Sequence, residues 1–121
     1  MKVLIVDDEE DVRDVARLSL GRVGGLEVVE AVCGADAVPT AVLEKPDFIL
    51  LDVMMPGMDG PSTLAALRSD ERTREIPVVF LTAKAMSSEI ARLKLLGAAG
   101  VITKPFNPMT LAQEVRALLG K

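Results

Sequence analysis

The residues Phe48-Ile49-Leu50-Leu51 form an unbroken apolar run of strand length that stops at a carboxylate, Asp52. A strand with one wet face alternates apolar and polar residues. A strand that is apolar at every position has two faces to bury, and that need is met at the centre of a parallel sheet covered on both sides. The segment after Asp52 is rich in turn formers, with Pro56, Gly57 and Gly60. Asp52 therefore stands at the carboxyl end of a central strand, where open α/β sheets place their ligands.

The rest of the chain supplies partners for such a strand. Strand-length apolar runs alternate with helix-period segments. Lys2 to Val6 is a first strand, followed by a helix over Glu9 to Leu20 with Asp8 as its N-cap and Val12, Val15, Ala16 and Leu20 on one face. Glu27 to Ala31 is a second, less apolar strand. The helix expected over Ala35 to Lys45 contains Pro39, which costs about 3 kcal/mol in a helix interior, so it must start late or kink. Asp47 to Leu51 is the third strand, and a helix over Ser62 to Ser69 follows through Gly60 and Pro61. Asp59 reads as a turn residue. Pro77 to Leu81 is the fourth strand. A helix over Ser87 to Leu96 follows, with Met86, Ile90 and Leu93 on one face and Gly97 as its cap. Gly100 to Thr103 is the fifth strand, and Pro108 to Leu119 the last helix, with Asn107 as N-cap. Five β-α units in strict alternation predict an α/β protein, a doubly wound five-stranded parallel sheet with five helices. No linker, low-complexity stretch or repeat divides the chain, so residues 1–121 are expected to form one domain.

Several function classes are excluded at this stage. The chain has no histidine, which removes histidine acid/base catalysis and histidine metal sites. Cys33 is the single cysteine, so neither a disulfide framework nor a multi-cysteine site is possible within the chain. One cysteine fits a reducing cytoplasm. The formal net charge of −4 gives no basic footprint for nucleic acid. The first strand is too short for a membrane span or a signal-peptide core. Tryptophan and tyrosine are absent, which leaves three phenylalanines as the only aromatic side chains.

The strand ends carry the chemistry. Strand one ends in Asp7-Asp8, strand three in Asp52, strand four in Thr82 and strand five in Lys104-Pro105, whereas strand two ends in Val32-Cys33. Under the order 2-1-3-4-5, the four strands with polar ends are consecutive and the one without is the outer strand. Three clustered carboxylates repel one another and resist ionisation. A hard divalent cation with oxygen ligands relieves this, and Mg²⁺ takes few carboxylates and often shares a phosphate. The formal sum is −3 from Asp7, Asp8 and Asp52, +2 from the metal and +1 from Lys104. A phosphoryl group entering this site would face a metal, an ammonium and the Thr82 hydroxyl. Asp52 is the natural nucleophile, giving an aspartyl phosphate. Each feature alone has a plainer explanation: a helix cap for the aspartate pair, a helix-entry residue for Thr82, a solvated side chain for Lys104. Met54, Met55, Met58 and Met86 read as packing. The four polar ends on the right strands are what the plainer explanations do not account for.

These motifs are Val6-Asp7-Asp8-Glu9, Leu50 through Gly60, Leu81-Thr82-Ala83 and Thr103-Lys104-Pro105-Phe106. Together they resemble the receiver domain of two-component response regulators, including its stand-alone chemotaxis type, over the whole chain. The resemblance implies the flavodoxin-like strand order 2-1-3-4-5. It implies that Asp52 accepts a phosphoryl group from a phosphohistidine of a sensor histidine kinase or histidine phosphotransfer protein. Asp8, Asp52 and the backbone carbonyl of Met54 would ligate Mg²⁺, with Asp7 acting largely through bound water. Lys104 would bind one phosphoryl oxygen and Thr82 another, and the Lys104-Pro105 bond would be cis. The chain would then be a cytoplasmic phosphorelay switch and not an enzyme with external substrates, catalysing only its own phosphoryl transfer and dephosphorylation. Its output would be a shift in the helix 4, strand 5, helix 5 face that binds a downstream protein, with no direct nucleic-acid contact and no membrane insertion. No output domain is visible in the chain.

One position departs from the family pattern. Val101 stands three residues before Lys104, where the family usually has tyrosine or phenylalanine, so coupling to the output face would use backbone shifts. Met54 and Lys84 occupy positions that tune phosphoryl lifetime in the family. Two other classes share this general architecture or chemistry and fit the residues less well. A Mg²⁺-dependent phosphohydrolase acting through an aspartyl phosphate is disfavoured by Met54, which stands where such enzymes place a second aspartate. A flavin or nucleotide carrier is disfavoured by the acidic loop Asp7-Asp8-Glu9-Glu10-Asp11, which lacks a glycine-rich phosphate cradle.

Overall fold

A computed structural model describes residues 1–84 and 86–120 of the chain, so the expected 1–121 domain includes two residues, Ala85 and Lys121, that lie outside the described residues. The elements alternate along the chain as β1 (Lys2–Val6), α1 (Glu10–Leu18), β2 (Glu27–Ala31), α2 (Ala37–Glu44), β3 (Phe48–Asp52), α3 (Gly60–Ser69), β4 (Val78–Thr82), α4 (Ser87–Leu95), β5 (Gly100–Thr103) and α5 (Leu111–Leu118). The strands form one parallel sheet in the order β2-β1-β3-β4-β5. This is the doubly wound, flavodoxin-like arrangement expected, with β3 in the middle.

Alternate residues of the inner strands feed two cores. Leu4, Val6, Ile49, Leu51, Val78 and Phe80 pack with Ala37, Ala41, Leu64, Leu67 and Leu93, under α2, α3 and α4. Val3, Ile5, Phe48, Leu50, Val79 and Leu81 pack with Ala16, Leu20, Leu111 and Val115, under α1 and α5. Every residue of β3 and β4 is buried. Phe48, Ile49, Leu50 and Leu51 are fully buried, and at about 1.5–3 kcal/mol per side chain they supply on the order of 6–12 kcal/mol of hydrophobic stabilisation. That exceeds the cost of holding one carboxylate at the end of the same strand, so β3 can carry Asp52 out of water.

The helix boundaries differ from expectation in ways that have local causes. Residue Glu9, and not Asp8, occupies the N-cap of α1, with no side-chain cap bond. α1 stops at Leu18, and a π-helical turn, Ser19–Val23, continues it, pinned where the Ser19 hydroxyl donates to the carbonyl of Pro108. Val15 is 40% exposed, so the buried stripe of this helix is Ala16 and Leu20 with half-buried Val12. α2 does start late: a 3₁₀ turn, Gly34–Asp36, precedes it, and Pro39 falls in the first turn, where its missing N–H costs no helical bond. Asp59 caps α3 by accepting from the Ser62 amide. Met86 is exposed and does not share the buried face of Leu93. Gly97, at φ +102, follows the end of α4 as expected. Asn107 accepts from the Met109 amide in a turn, and α5 begins only at Leu111 with Thr110 at its N-cap.

Candidate functional site

The carboxyl ends of β1, β3, β4 and β5 meet in one shallow depression. Asp52 is the last residue of β3 and Thr82 the last of β4. Asp7 follows β1 directly, and Lys104 follows β5. Asp7, Asp52 and Thr82 are buried, and Asp8 is exposed. Parallel register fixes the heights: Asp52 lies opposite Leu81, and Thr82 opposite Thr103. The structure thus brings the carboxylates of Asp7, Asp8 and Asp52 together with the Lys104 ammonium, with Thr82 at the end of the neighbouring strand and Met54 present through its amide, which donates to Asp52.

Lys104 is the hub. Its Nζ donates to Asp7 Oδ2 at 2.9 Å and lies 3.2 Å from Asp52 Oδ1 and 3.5 Å from Glu9 Oε1. The Lys104-Pro105 bond is cis, and the Lys104 amide donates to the carbonyl of Thr82 at 2.7 Å. Burial pulls the Lys104 ammonium down. The hydrogen bond and charge of Asp7, with those of Asp52, outweigh that, so its pKa ends above the ordinary lysine range. Lys104 also walls an open cleft of about 410 Å³, shared with Val12, Val15 and Phe106.

Asp52 is the strained member. Its Oδ1 accepts from Lys104 and, at 3.3 Å, from the Met54 amide. Its Oδ2 is buried with no hydrogen-bond partner among the described residues. Burial and then the charge of Asp7 push the carboxyl up to about 6, against the opposing pull of Lys104 and the Met54 amide. An unpartnered buried carboxylate oxygen is costly and marks a missing partner.

A cation fits that gap. One carboxylate oxygen from each of Asp7, Asp8 and Asp52 lies within 4.8 Å of the other two, close to the roughly 4 Å that separates opposite ligands of one Mg²⁺. The donors are all hard oxygens, as Mg²⁺ prefers, and Asp52 Oδ2 is the acceptor left over. Asp7 is otherwise occupied: Oδ1 takes the Glu9 amide and Oδ2 takes Lys104.

Thr82 behaves differently from the simplest expectation. Its hydroxyl accepts from the Lys84 amide at 3.0 Å, which ties the end of β4 to the loop leading into α4. Two contributors were not singled out in the sequence. Glu9 reaches Lys104. Arg13 donates to the carbonyl of Asp7 at 2.7 Å and pairs with Glu30 of β2. Glu30, the half-buried glutamate of β2, was the available signal, since a carboxylate held there calls for a cation beside it.

Residues 3–116 match the response regulator receiver domain family. The chain is 39% identical over 117 residues to the phosphate regulon transcriptional regulatory protein PhoB of Pseudomonas aeruginosa, covering 97% of this chain and 51% of that protein. It is 35% identical over 118 residues to the chemotaxis protein CheY of the same species, covering 98% and 95%. The chain spans about half the length of the transcriptional regulators it matches. Among solved structures, the chemotaxis protein CheY4 of Vibrio cholerae superposes with a TM-score of 0.88 at 33% identity, covering 97% of both chains.

Proposed function

Because this chain belongs to the response regulator receiver domains of two-component signalling, we propose that it is a phosphorylation switch whose acceptor is Asp52. The observation that carries this reading is the Asp52 carboxylate itself. It is buried at the end of the central strand, with one oxygen on Lys104 and the other without a hydrogen-bond partner among the described residues.

One carboxylate oxygen of Asp52 attacks phosphorus of a donor phosphohistidine. The P–N bond breaks, its electron pair returns to the donor imidazole, which takes up a proton, and an aspartyl phosphate remains. The donor phosphohistidine lies outside these 121 residues, which contain no histidine, on a sensor histidine kinase or a histidine phosphotransfer protein. Asp8, Asp52 and the Met54 carbonyl would hold Mg²⁺ directly, and Asp7 largely through water. Mg²⁺ bound there supplies positive charge opposite the transferring oxygens. Lys104, now shared by Asp7 and Asp52, would turn to a phosphoryl oxygen, and Thr82 would exchange its Lys84 amide for another. Leaving the Lys84 amide couples the modified site to α4, and the Lys104 amide bond to Thr82 couples it to β5. The α4-β5-α5 face then changes population and binds a downstream protein.

The unit would work as one domain over residues 1–121 in the cytoplasm. It catalyses only its own phosphoryl transfer and hydrolysis, without direct contact with nucleic acid. No described helix is long and apolar enough to cross a membrane, which supports a role without membrane insertion.

The test is intact-mass spectrometry after incubation with acetyl phosphate, with and without Mg²⁺. The expected result is a Mg²⁺-dependent gain of one phosphoryl group that Asp52→Asn abolishes while remaining folded. Equal labelling of Asp52→Asn would sink the assignment.

A further inference from the structure

We propose that Arg13 is a positioning residue for the cation site, locking the Asp7-Asp8 peptide against the edge strand β2. The inference rests on the reading that Asp7, Asp8 and Asp52 hold Mg²⁺.

The polar groups of Asp7 account for themselves one by one. Its amide donates to the Ala31 carbonyl of β2, its Oδ1 accepts the Glu9 amide and its Oδ2 accepts Lys104. The remaining group, the carbonyl, accepts from Arg13 Nη1 at 2.7 Å. That carbonyl and the Asp8 amide share one planar peptide unit, so fixing the oxygen fixes the plane from which Asp8 projects. Asp8 is the exposed member of the carboxylate trio. No side-chain hydrogen bond is formed by its own carboxylate among the described residues, so its direction depends on its backbone.

Arg13 is itself held. Its side chain is 13% exposed, and its Nε donates to Glu30 Oε1 at 3.2 Å. The second oxygen of Glu30 takes Arg17 at 2.9 Å, and Arg17 also pairs with Asp14. The guanidinium fork therefore reaches the site carbonyl with one nitrogen and β2 with another, a geometry that a lysine ammonium on a flexible stem does not reproduce. A surface ion pair would contribute little by itself. This one is partly buried and ends on the peptide unit from which the ligand Asp8 projects, and outer partners that orient metal ligands govern affinity.

The experiment is calorimetric Mg²⁺ titration of the full chain, together with ¹⁵N relaxation of the Asp8 amide in the metal-free protein. Arg13→Met is expected to weaken Mg²⁺ binding roughly tenfold and to increase the motion of the Asp8 amide, while Arg13→Lys recovers only part of the affinity. Glu30→Gln, at a partly exposed position, is expected to move affinity the same way by less, and Arg13→Met/Glu30→Gln to be no worse than Arg13→Met. A role confined to stability would lower the melting temperature and leave both the Mg²⁺ affinity and Asp8 motion unchanged. Unchanged affinity in a folded Arg13→Met, or in Glu30→Gln if Arg13→Met does not fold, overturns the proposal and leaves the receiver reading standing. Failure of the wild-type chain to bind Mg²⁺ overturns both.

Discussion

Lys104 Nζ lies 3.2 Å from Asp52 Oδ1 and 2.9 Å from Asp7 Oδ2. One ammonium therefore bridges two buried carboxylates at the ends of different strands and offsets one of their two negative charges, and it is the only cation bridging them among the described residues. On the proposed function, an incoming phosphoryl group would have to break this arrangement.

Removing that ammonium should separate folding from switching. Lys104→Ala leaves two buried carboxylates without their shared donor, and the metal-free protein should lose about 1–3 kcal/mol of stability. Saturating Mg²⁺ should restore most of it, because on the proposed reading the ion would bind Asp8 and Asp52 without Lys104. Phosphorylation should still occur, while the amide shifts of Gly100–Thr103 and of α4 that follow it disappear. Urea denaturation with and without Mg²⁺, and NMR of the phosphorylated variant, check both halves. A variant that moves as far as wild type would remove Lys104 from the coupling.

The raised carboxyl of Asp52 sets a pH dependence with a definite sign. Its folded pKa is about 6 against an ordinary value of 3.8, so the folded state binds this proton more tightly than the unfolded state. Stability of the metal-free protein from this group therefore falls as pH rises through roughly 4 to 6, and the full penalty is present above 6. Asp52→Asn removes the charge and should be more stable than wild type at pH 7.5 by on the order of 1–2 kcal/mol, discounted for the open side of the site. The difference should shrink to near zero at pH 4 and should also vanish when wild type is saturated with Mg²⁺. Thermal melts of the two proteins at pH 4 and 7.5 measure it.

Much of this arrangement was legible because it depends on strand ends. Runs such as Phe48–Leu51 announce doubly buried strands, and once those are placed, parallel order brings Asp7, Asp52, Thr82 and Lys104 to one edge. Local hydrogen bonding was less legible. Asp8 resembled a helix cap, but Asp7 closes the turn on the Glu9 amide instead, leaving Asp8 free to face the site. Asn107 looks like an N-cap in sequence, yet its oxygen closes a turn at Met109, two residues before α5 settles into helix. The link from Arg13 to the Asp7 carbonyl joins a side chain to a backbone oxygen, and residue spacing carries no trace of such a bond. Val15 and Met86 fit the helical period but remain 40% and 70% exposed.

The tight turn after Asp52 needs its glycines for different reasons. A Cβ on Gly60 would lie 2.5 Å from the Asp52 carbonyl oxygen and 2.7 Å from Val53 Cα. Both are backbone atoms that no rotamer change moves, so Gly60→Ala should cost about 1–3 kcal/mol and slow acetyl phosphate labelling by displacing Asp52. Gly57 stands at φ +79 with nothing within 4 Å of an added Cβ. Gly57→Ala should cost about 1 kcal/mol through backbone conformation alone and leave the labelling rate unchanged. Denaturant midpoints and labelling time courses on the two variants separate steric intrusion on Asp52 from turn strain.

On the proposed function, the route out of the site would run through Thr82. Val101 pairs with Phe80 across β4 and β5 and packs, half-buried, on the core that includes Leu93 of α4. A valine has no large rotamer swing, so its position can follow only the backbone of β5. That backbone is tied to Thr82 by the 2.7 Å bond from the Lys104 amide, and the Thr82 hydroxyl holds the Lys84 amide on the other side. Thr82→Val keeps the shape of the side chain and removes the hydroxyl. It should cost the resting protein about 1 kcal/mol through the lost Lys84 bond, leave Mg²⁺ binding and Asp52 labelling in place, and abolish the change in hydrogen exchange that phosphorylation produces in α4. Val101→Ala should cost a similar amount through lost burial and leave that exchange change intact. Hydrogen-exchange mass spectrometry on both variants, phosphorylated and not, decides the route. Loss of the α4 response in Val101→Ala but not in Thr82→Val would place the coupling in side-chain packing instead of in the backbone around Thr82.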